Sequence, residues 1–444
     1  MRRVVASLAV AYLLVLLFDS GQLQLQYLLF GKVVAPSAYI KYTGFVVLVW
    51  LALLIFLYTP TIYGTPDALL WVALVYCLFI LTGVGLHLFS DSRHLSALLY
   101  AETFHHFFIL VTFLALVAYY DIVDGERTIP SHAMYRALYL TAPPIFLLGY
   151  VQALANHPII PVEIPDALTV QSYVLLAGER VRAFSIFGSS FEYGHYISLI
   201  GALSLAYLLV SRERRHAGLF LMLYVASALA ALSTFTRNTY LEFALTSAGV
   251  GLIPVALRKG VANRRIIFTS VATGLIVFGT VVGYFLASAR SGAEGLLSLR
   301  SFGLRLAGQL FVLRTYFLDA PDVQSLLLGR GIMQGDRFAE LKNTEALIFD
   351  NTFLDIALYS GLVGLLLFCS FFVGLFSFAL NRVRRTGEYW WVALAGIFGA
   401  YPAVAMINIH VGGFFLAVAL ILSYHVRRSM TEADTSRRTA AVGA

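Results

Sequence analysis

The chain has 444 residues, 59% hydrophobic and only 12% charged, with a mean hydropathy of +0.81. That balance excludes a soluble globular protein, because a bilayer core needs about 20 apolar residues per helical span and runs of that kind fill most of the chain. The net charge of +7 comes from 27 arginines and 4 lysines, mostly in short loops between apolar runs, where it orients a membrane protein and does not point to nucleic acid.

Only helices and closed barrels satisfy their backbone groups in lipid. The apolar runs are continuous and lack the alternating ten-residue pattern of a barrel. The predicted fold class is therefore an all-α polytopic membrane protein with about twelve spans. The chain opens on Met1-Arg2-Arg3 and the apolar Val4–Phe18, the form of a signal peptide, but no small-x-small site follows, so this reads as a retained first helix. The remaining spans fall near 40–58, 67–89, 96–119, 133–154, 186–210, 217–234, 238–256, 266–287, 352–379, 390–408 and 411–426. Pro143-Pro144 is expected to break the fifth. The organisation is thus five spans in 1–154, a loop at 155–185, four spans in 186–287, a long polar loop at 288–351, three spans in 352–428 and a polar tail at 429–444.

With the amino end in the cytoplasm, four of the even-numbered exits meet Arg212/Arg214/Arg215, Arg258/Lys259 with Arg264/Arg265, Arg382/Arg384/Arg385, and Arg427/Arg428. These four are basic, as the positive-inside rule requires, whereas the 120–132 loop with Asp121, Asp124, Glu126 and Arg127 is mixed; the pattern predicts both termini in the cytoplasm and the two large loops outside. The first loop, with Pro158, Pro161 and Pro165, should run extended before it reaches Arg180 and Arg182. The second carries Arg290, Arg300, Arg305, Arg314, Arg330, Arg337 and Lys342, with a helix expected over 300–317 and a turn at Ala320-Pro321-Asp322. Guanidinium groups beside a bilayer suit an anionic ligand, above all a phosphate or pyrophosphate.

Several residues could carry chemistry, and each has a structural reading beside the functional one. Arg182 opens a segment running to Gly188-Ser189-Ser190, and is either an interfacial anchor or one arm of a pyrophosphate clamp. Arg237 sits in the tight external turn Ser233-Thr-Phe-Thr236-Arg237-Asn238-Thr239, against the charge bias, where Asn238 or Thr239 could cap a helix whose amino end faces the same anion. Arg305 and Arg314 lie on the loop helix, which could equally rest on acidic lipid. Asp350, with Asn351 beside it, stands where the long loop meets the tenth span, and could take a proton from a sugar hydroxyl or simply cap the helix. Asp19 is a weaker acidic candidate, and His105, His106 and His195 are intramembrane polar residues without metal-ligand spacing. Cys77 and Cys369 read as small core residues, and no Asp-x-Asp pair is present.

The order of these motifs resembles the O-antigen ligase and polymerase superfamily, polytopic glycosyltransferases of the bacterial envelope. The resemblance covers roughly 180–370: Arg182–Phe187, then Thr236-Arg237-Asn238, the helix started by Arg305, Gly329–Gly331, Asn351–Leu354 and the later Gly361–Gly364. It implies a GT-C-like fold in the bacterial inner membrane, with the active site outside. The implied transfer is inverting, needs no metal or other cofactor, and moves a glycan from an undecaprenyl-pyrophosphate carrier to a glycan or lipid acceptor, with a chain-length regulator as a further partner. On this resemblance Asp350, Arg237 and Arg182 are catalytic, and Arg180, Arg305, Arg314, Arg330 and Asn351 bind substrate. Ligases of the family carry histidine where Asp350 stands here, which favours the polymerase branch over the ligase. Outside the family, a flippase of lipid-linked oligosaccharide also suits twelve spans, but should place ionisable groups at mid-membrane and break helices in related halves.

Overall fold

The computed structural model describes residues 130–159, 176–177, 180–187, 189–211, 214–262, 264–266, 300–318, 323–329 and 351–406, with isolated helical positions at Phe30, Val75, Tyr76 and Phe79. Within these, the chain is predominantly helical: α1 (Pro130–Ala155), α2 (Ser190–Val210), α3 (Ala217–Ser233), α4 (Arg237–Arg258), α5 (Arg300–Leu313), α6 (Val323–Leu328), α7 (Thr352–Thr386) and α8 (Tyr389–Ala405). A short ribbon pairs β1 (Leu176–Ala177) with β2 (Arg180–Val181), antiparallel, just before the Arg182 segment.

Among the described residues, four stretches are long and apolar enough to cross a bilayer: Leu138–Ala155, Ser190–Val210, Arg237–Arg258 and Ser360–Arg385, with α3 and α8 apolar but shorter. The protein is accordingly a helical membrane protein. Helix α2 is its centre, with most of its length buried, whereas α3 turns Leu221, Met222, Leu229 and Leu232 outward with no polar group to offset them. Such a face is stable only against lipid or another apolar surface.

The packing fixes the helix directions. Ser190 of α2 meets Thr236, and His195 meets Glu242, so α2 and α4 run parallel in a constant register. Helix α8 runs back along α4: Tyr401 borders the same cavity as Glu242, and a side chain added at Gly249 would lie 3.0 Å from the Gly396 carbonyl. Glycine at this crossing lets the two backbones approach, as in membrane helix pairs generally. The later part of α7 is antiparallel to α8, with Phe372 stacked on Tyr401 at 4.2 Å and Phe378 edge-on to Trp391 at 5.6 Å.

The carboxyl ends of α2, α4 and α7 therefore share one end of the bundle with the basic residues Arg215, Arg258, Arg384 and Arg385. There Arg384 donates to the Val261 carbonyl, and Tyr207, Phe220 and Tyr389 form an aromatic cluster. The amino ends of α2 and α4 lie at the opposite end.

Two expectations are corrected. Pro143-Pro144 does not break its helix, since α1 continues through both. The segment expected as one span from residue 352 is broken at Gly361 (φ 66°, ψ −171°), where the chain folds back so that Phe353 faces Phe368 at 6.2 Å. The backbone of Leu327 and Gly329, at the end of α6, fills the position a side chain on Gly361 would need.

A candidate anion site at the helix amino ends

The Arg182 segment is held by polar contacts from α1. Gln152, fully buried, accepts from the N–H groups of Phe184 (3.2 Å) and Ser185 (2.7 Å) and donates to the Ser185 carbonyl (3.0 Å). The Ser185 hydroxyl donates to the Ile145 carbonyl at 2.7 Å, and Asn156 accepts from the Val181 N–H at 2.8 Å. Ser185 holds a left-handed backbone (φ 52°), uncommon for a side chain of this type and maintained here by that bonding. Ser189 then caps α2, accepting from the Glu192 N–H at 3.3 Å while its hydroxyl donates to the Glu192 carboxylate at 3.0 Å.

The Arg237 turn is built the same way. Thr234 bonds back to Ala231 at 2.7 Å, Phe235 takes a left-handed backbone (φ 47°), and Thr236 precedes the first residue of α4. Two bonds join the turn to the Arg182 segment: the Ala183 N–H donates to the Ser233 carbonyl at 3.4 Å, and the Thr236 hydroxyl donates to Ser190 at 3.0 Å. Arg182 comes within electrostatic reach of Tyr240 on α4. Arg182 and Arg237 are both half-buried. The structure thus brings two arginine-bearing segments, distant in sequence, beside the parallel amino ends of α2 and α4. Unpaired N–H groups and the helix dipole favour an anion at such an end.

The other sequence candidates fall around this end to different degrees. Arg180 lies on β2, two residues before Arg182. Helix α5, which carries Arg305, is tied to the carboxyl end of α8 by Gln309 donating to the Met406 carbonyl at 3.3 Å, and Val312 packs on Leu358 of α7. Since α8 is antiparallel to α4, this places α5 at the same end as Arg237. Arg314 is exposed and opens a π-helical turn, Arg314–Leu318, where regular α5 stops. Asn351 is the N-cap of α7: its side-chain oxygen accepts from Phe353 and Leu354 at 3.0 and 3.1 Å. The capping role open to Asp350 or Asn351 in the sequence thus belongs to Asn351. Arg330 and Asp350, like Asp19, His105 and His106, lie outside the described residues.

Beneath the arginines lies a feature the sequence did not expose. His195 Nδ1 is 2.7 Å from Glu242 Oε2, and the two side chains are 6% and 13% exposed. Ser198, Thr246 and Tyr401 line a cavity beside them with about 20 Å³ of free space. Tyr401 also lies beside Thr352, next to the Asn351 cap, so the folded-back arm of α7 reaches the same cavity wall.

Comparison with models of known protein families gives no match, and no curated protein matches the chain.

Proposed function

We propose that this protein is an envelope glycosyltransferase of the O-antigen polymerase type, which joins repeat units carried on undecaprenyl pyrophosphate. The observation that carries the reading is the pinning of the Arg182 segment to the Arg237 turn at the parallel amino ends of α2 and α4. Two guanidinium groups and two helix amino ends suit a doubly ionised leaving group. The acceptor hydroxyl attacks the anomeric carbon, the bond from that carbon to the pyrophosphate oxygen breaks, and charge develops on the lipid pyrophosphate where Arg182 and Arg237 stand. Fixed donors of this kind stabilise the transition state without reorganising at the moment of reaction. In this reading Arg180, Arg305, Arg314 and Arg330 bind the anionic donor, and Asn351 positions Asp350 against the acceptor. The GT-C-like architecture, twelve spans, inversion and independence of metal come from the family resemblance, as does the choice of polymerase over ligase. The positive-inside pattern supports a site on the outer face of the membrane, and the bacterial inner membrane comes from the family resemblance.

A flippase is the second reading, favoured by the buried His195–Glu242 pair and the break at Gly361. An ionisable pair inside a bundle commonly marks a transport path. Five residues from the start of each helix, however, the pair lies only about 7.5 Å below the arginine end, which is shallow for a mid-membrane site.

Turnover separates the two. Purified protein in detergent, given undecaprenyl-pyrophosphate-linked repeat units and EDTA, is expected to build a glycan ladder that Arg237→Ala abolishes. Transfer to a lipid acceptor without a ladder would identify a ligase. No transfer to either acceptor would leave transport, which needs two compartments, as the better account.

A further inference from the structure

A line of polar groups leads from the arginine end into the bundle along the seam between α2 and α4. Thr236 and Ser190 are joined at 3.0 Å, and Thr239 donates to the Ser190 carbonyl at 3.5 Å. One turn deeper is His195 with Glu242, and one turn deeper again Ser198 and Thr246 border the cavity. Apolar packing would have served as well if this seam were only a helix crossing, and an ionisable pair in a membrane bundle is costly to keep. The Ser198 hydroxyl is buried without a hydrogen-bond partner among the described residues, and it lines this cavity. The free space of about 20 Å³ is the size of one water, which would satisfy Ser198 and reach the pair.

From this arrangement we infer that His195 and Glu242 form a proton-accepting pair, fed through the hydroxyl seam, which takes up the proton lost by the acceptor hydroxyl. The inference rests on the polymerase reading and deepens it. Glu242 engages Nδ1, so in the neutral ring that nitrogen holds the hydrogen and Nε2 carries the lone pair. As the hydroxyl oxygen bonds to the anomeric carbon, its O–H bond breaks and the proton moves by way of the seam and the cavity water to Nε2. The imidazolium is held by the Glu242 carboxylate, the arrangement that orients histidine in hydrolytic triads. The electron pair of the broken glycosidic bond stays on the lipid pyrophosphate, and the proton later returns to outer water, so no co-reactant is consumed. Among the described residues, the other ionisable groups around the pair are Tyr401 from α8, with Tyr76 and Cys369 beyond it, and Arg237 and Glu192 at the rim.

The test uses the full chain in detergent with undecaprenyl-pyrophosphate-linked repeat units. Initial rates are measured across pH for the native protein and for His195→Gln, Glu242→Gln and Glu242→Asp, with thermal unfolding recorded for each. The base must be unprotonated to act, so native turnover should fall as pH drops. Both glutamine variants should lose about 100-fold in kcat with KM little changed and show a flattened acid limb. Glu242→Asp should recover part of the rate and the limb. Native kcat with a native acid limb in the glutamine variants would overturn the inference while leaving the polymerase intact. So would a rate loss tracked by lower thermal stability with the limb unchanged, which would make the pair a brace. A native protein that elongates nothing would bring down the polymerase reading, and this inference with it.

Discussion

Gln152 holds Ser185 from both sides, accepting its N–H at 2.7 Å and donating to its carbonyl at 3.0 Å, across 33 residues of sequence. Through that grip α1 sets the course of the chain three residues after Arg182. Gln152→Leu keeps the side chain's bulk but leaves buried backbone groups of Phe184 and Ser185 without partners. An unmet buried group costs about 1–3 kcal/mol, so thermal unfolding in detergent should drop by several degrees. Elongation should fall further than the stability loss explains, because Arg182 is no longer held against the turn at Ser233. Unchanged turnover in a destabilised variant would mean that Arg182 does not need this frame.

Much of the bundle could be read from the residues, because an apolar run bounded by polar residues can do little in lipid except form a helix. The runs expected as spans at 217–234 and 238–256 are the helices Ala217–Ser233 and Arg237–Arg258, the second long enough to cross a bilayer and the first shorter. What could not be read depends on neighbours remote in sequence. The sequence predicts that Pro143-Pro144 breaks α1, yet the helix continues through both. His195 was visible as a polar residue in an apolar run, but its partner follows only from the parallel register of α2 and α4. Glu242, a carboxylate inside the apolar run of α4, is the sequence signal for such a partner.

Gly361 is the clearest case of a residue fixed by backbone alone. Its φ of 66° with ψ of −171° lies in a region essentially confined to glycine, and the end of α6 occupies the space of a side chain. Gly361→Ala should therefore cost roughly 3 kcal/mol or more, combining strain and overpacking. Gly251→Ala is the matched control, since nothing lies within 4 Å of a side chain added there. It should be neutral or gain up to about 1 kcal/mol from helix propensity. Thermal unfolding of both variants in one detergent checks the contrast, and equal behaviour would refute the fold-back as a structural requirement.

Arg182 and Arg237 are proposed to act on one pyrophosphate, and groups that act as a unit do not contribute additively. Each alanine variant should lose about 100- to 1000-fold in kcat. The double variant should lose far less than the product of the two single losses. Strict multiplication of the two effects would place the arginines on separate events, such as donor binding and acceptor binding. Arg237→Lys should recover only part of the rate, because an ammonium keeps the charge but not the two-pronged geometry of a guanidinium.

Asn351 poses the question of whether a helix cap also serves the substrate. It is 8% exposed, and its side-chain oxygen is committed to two backbone N–H groups of α7. Loss of a cap costs about 0.5–2 kcal/mol, so Asn351→Ala should lower the unfolding temperature by a few degrees. Asp and Asn cap equally well, so Asn351→Asp should leave stability near native. The two variants then separate the roles, because aspartate keeps the oxygen and removes the amide donor. If that amide meets the acceptor glycan, Asn351→Asp should raise KM or lower kcat about tenfold in a stably folded protein, the effect of one lost hydrogen bond of about 1.4 kcal/mol. Native kinetics in the aspartate variant would confine Asn351 to capping, with its part in the site limited to fixing where α7 begins.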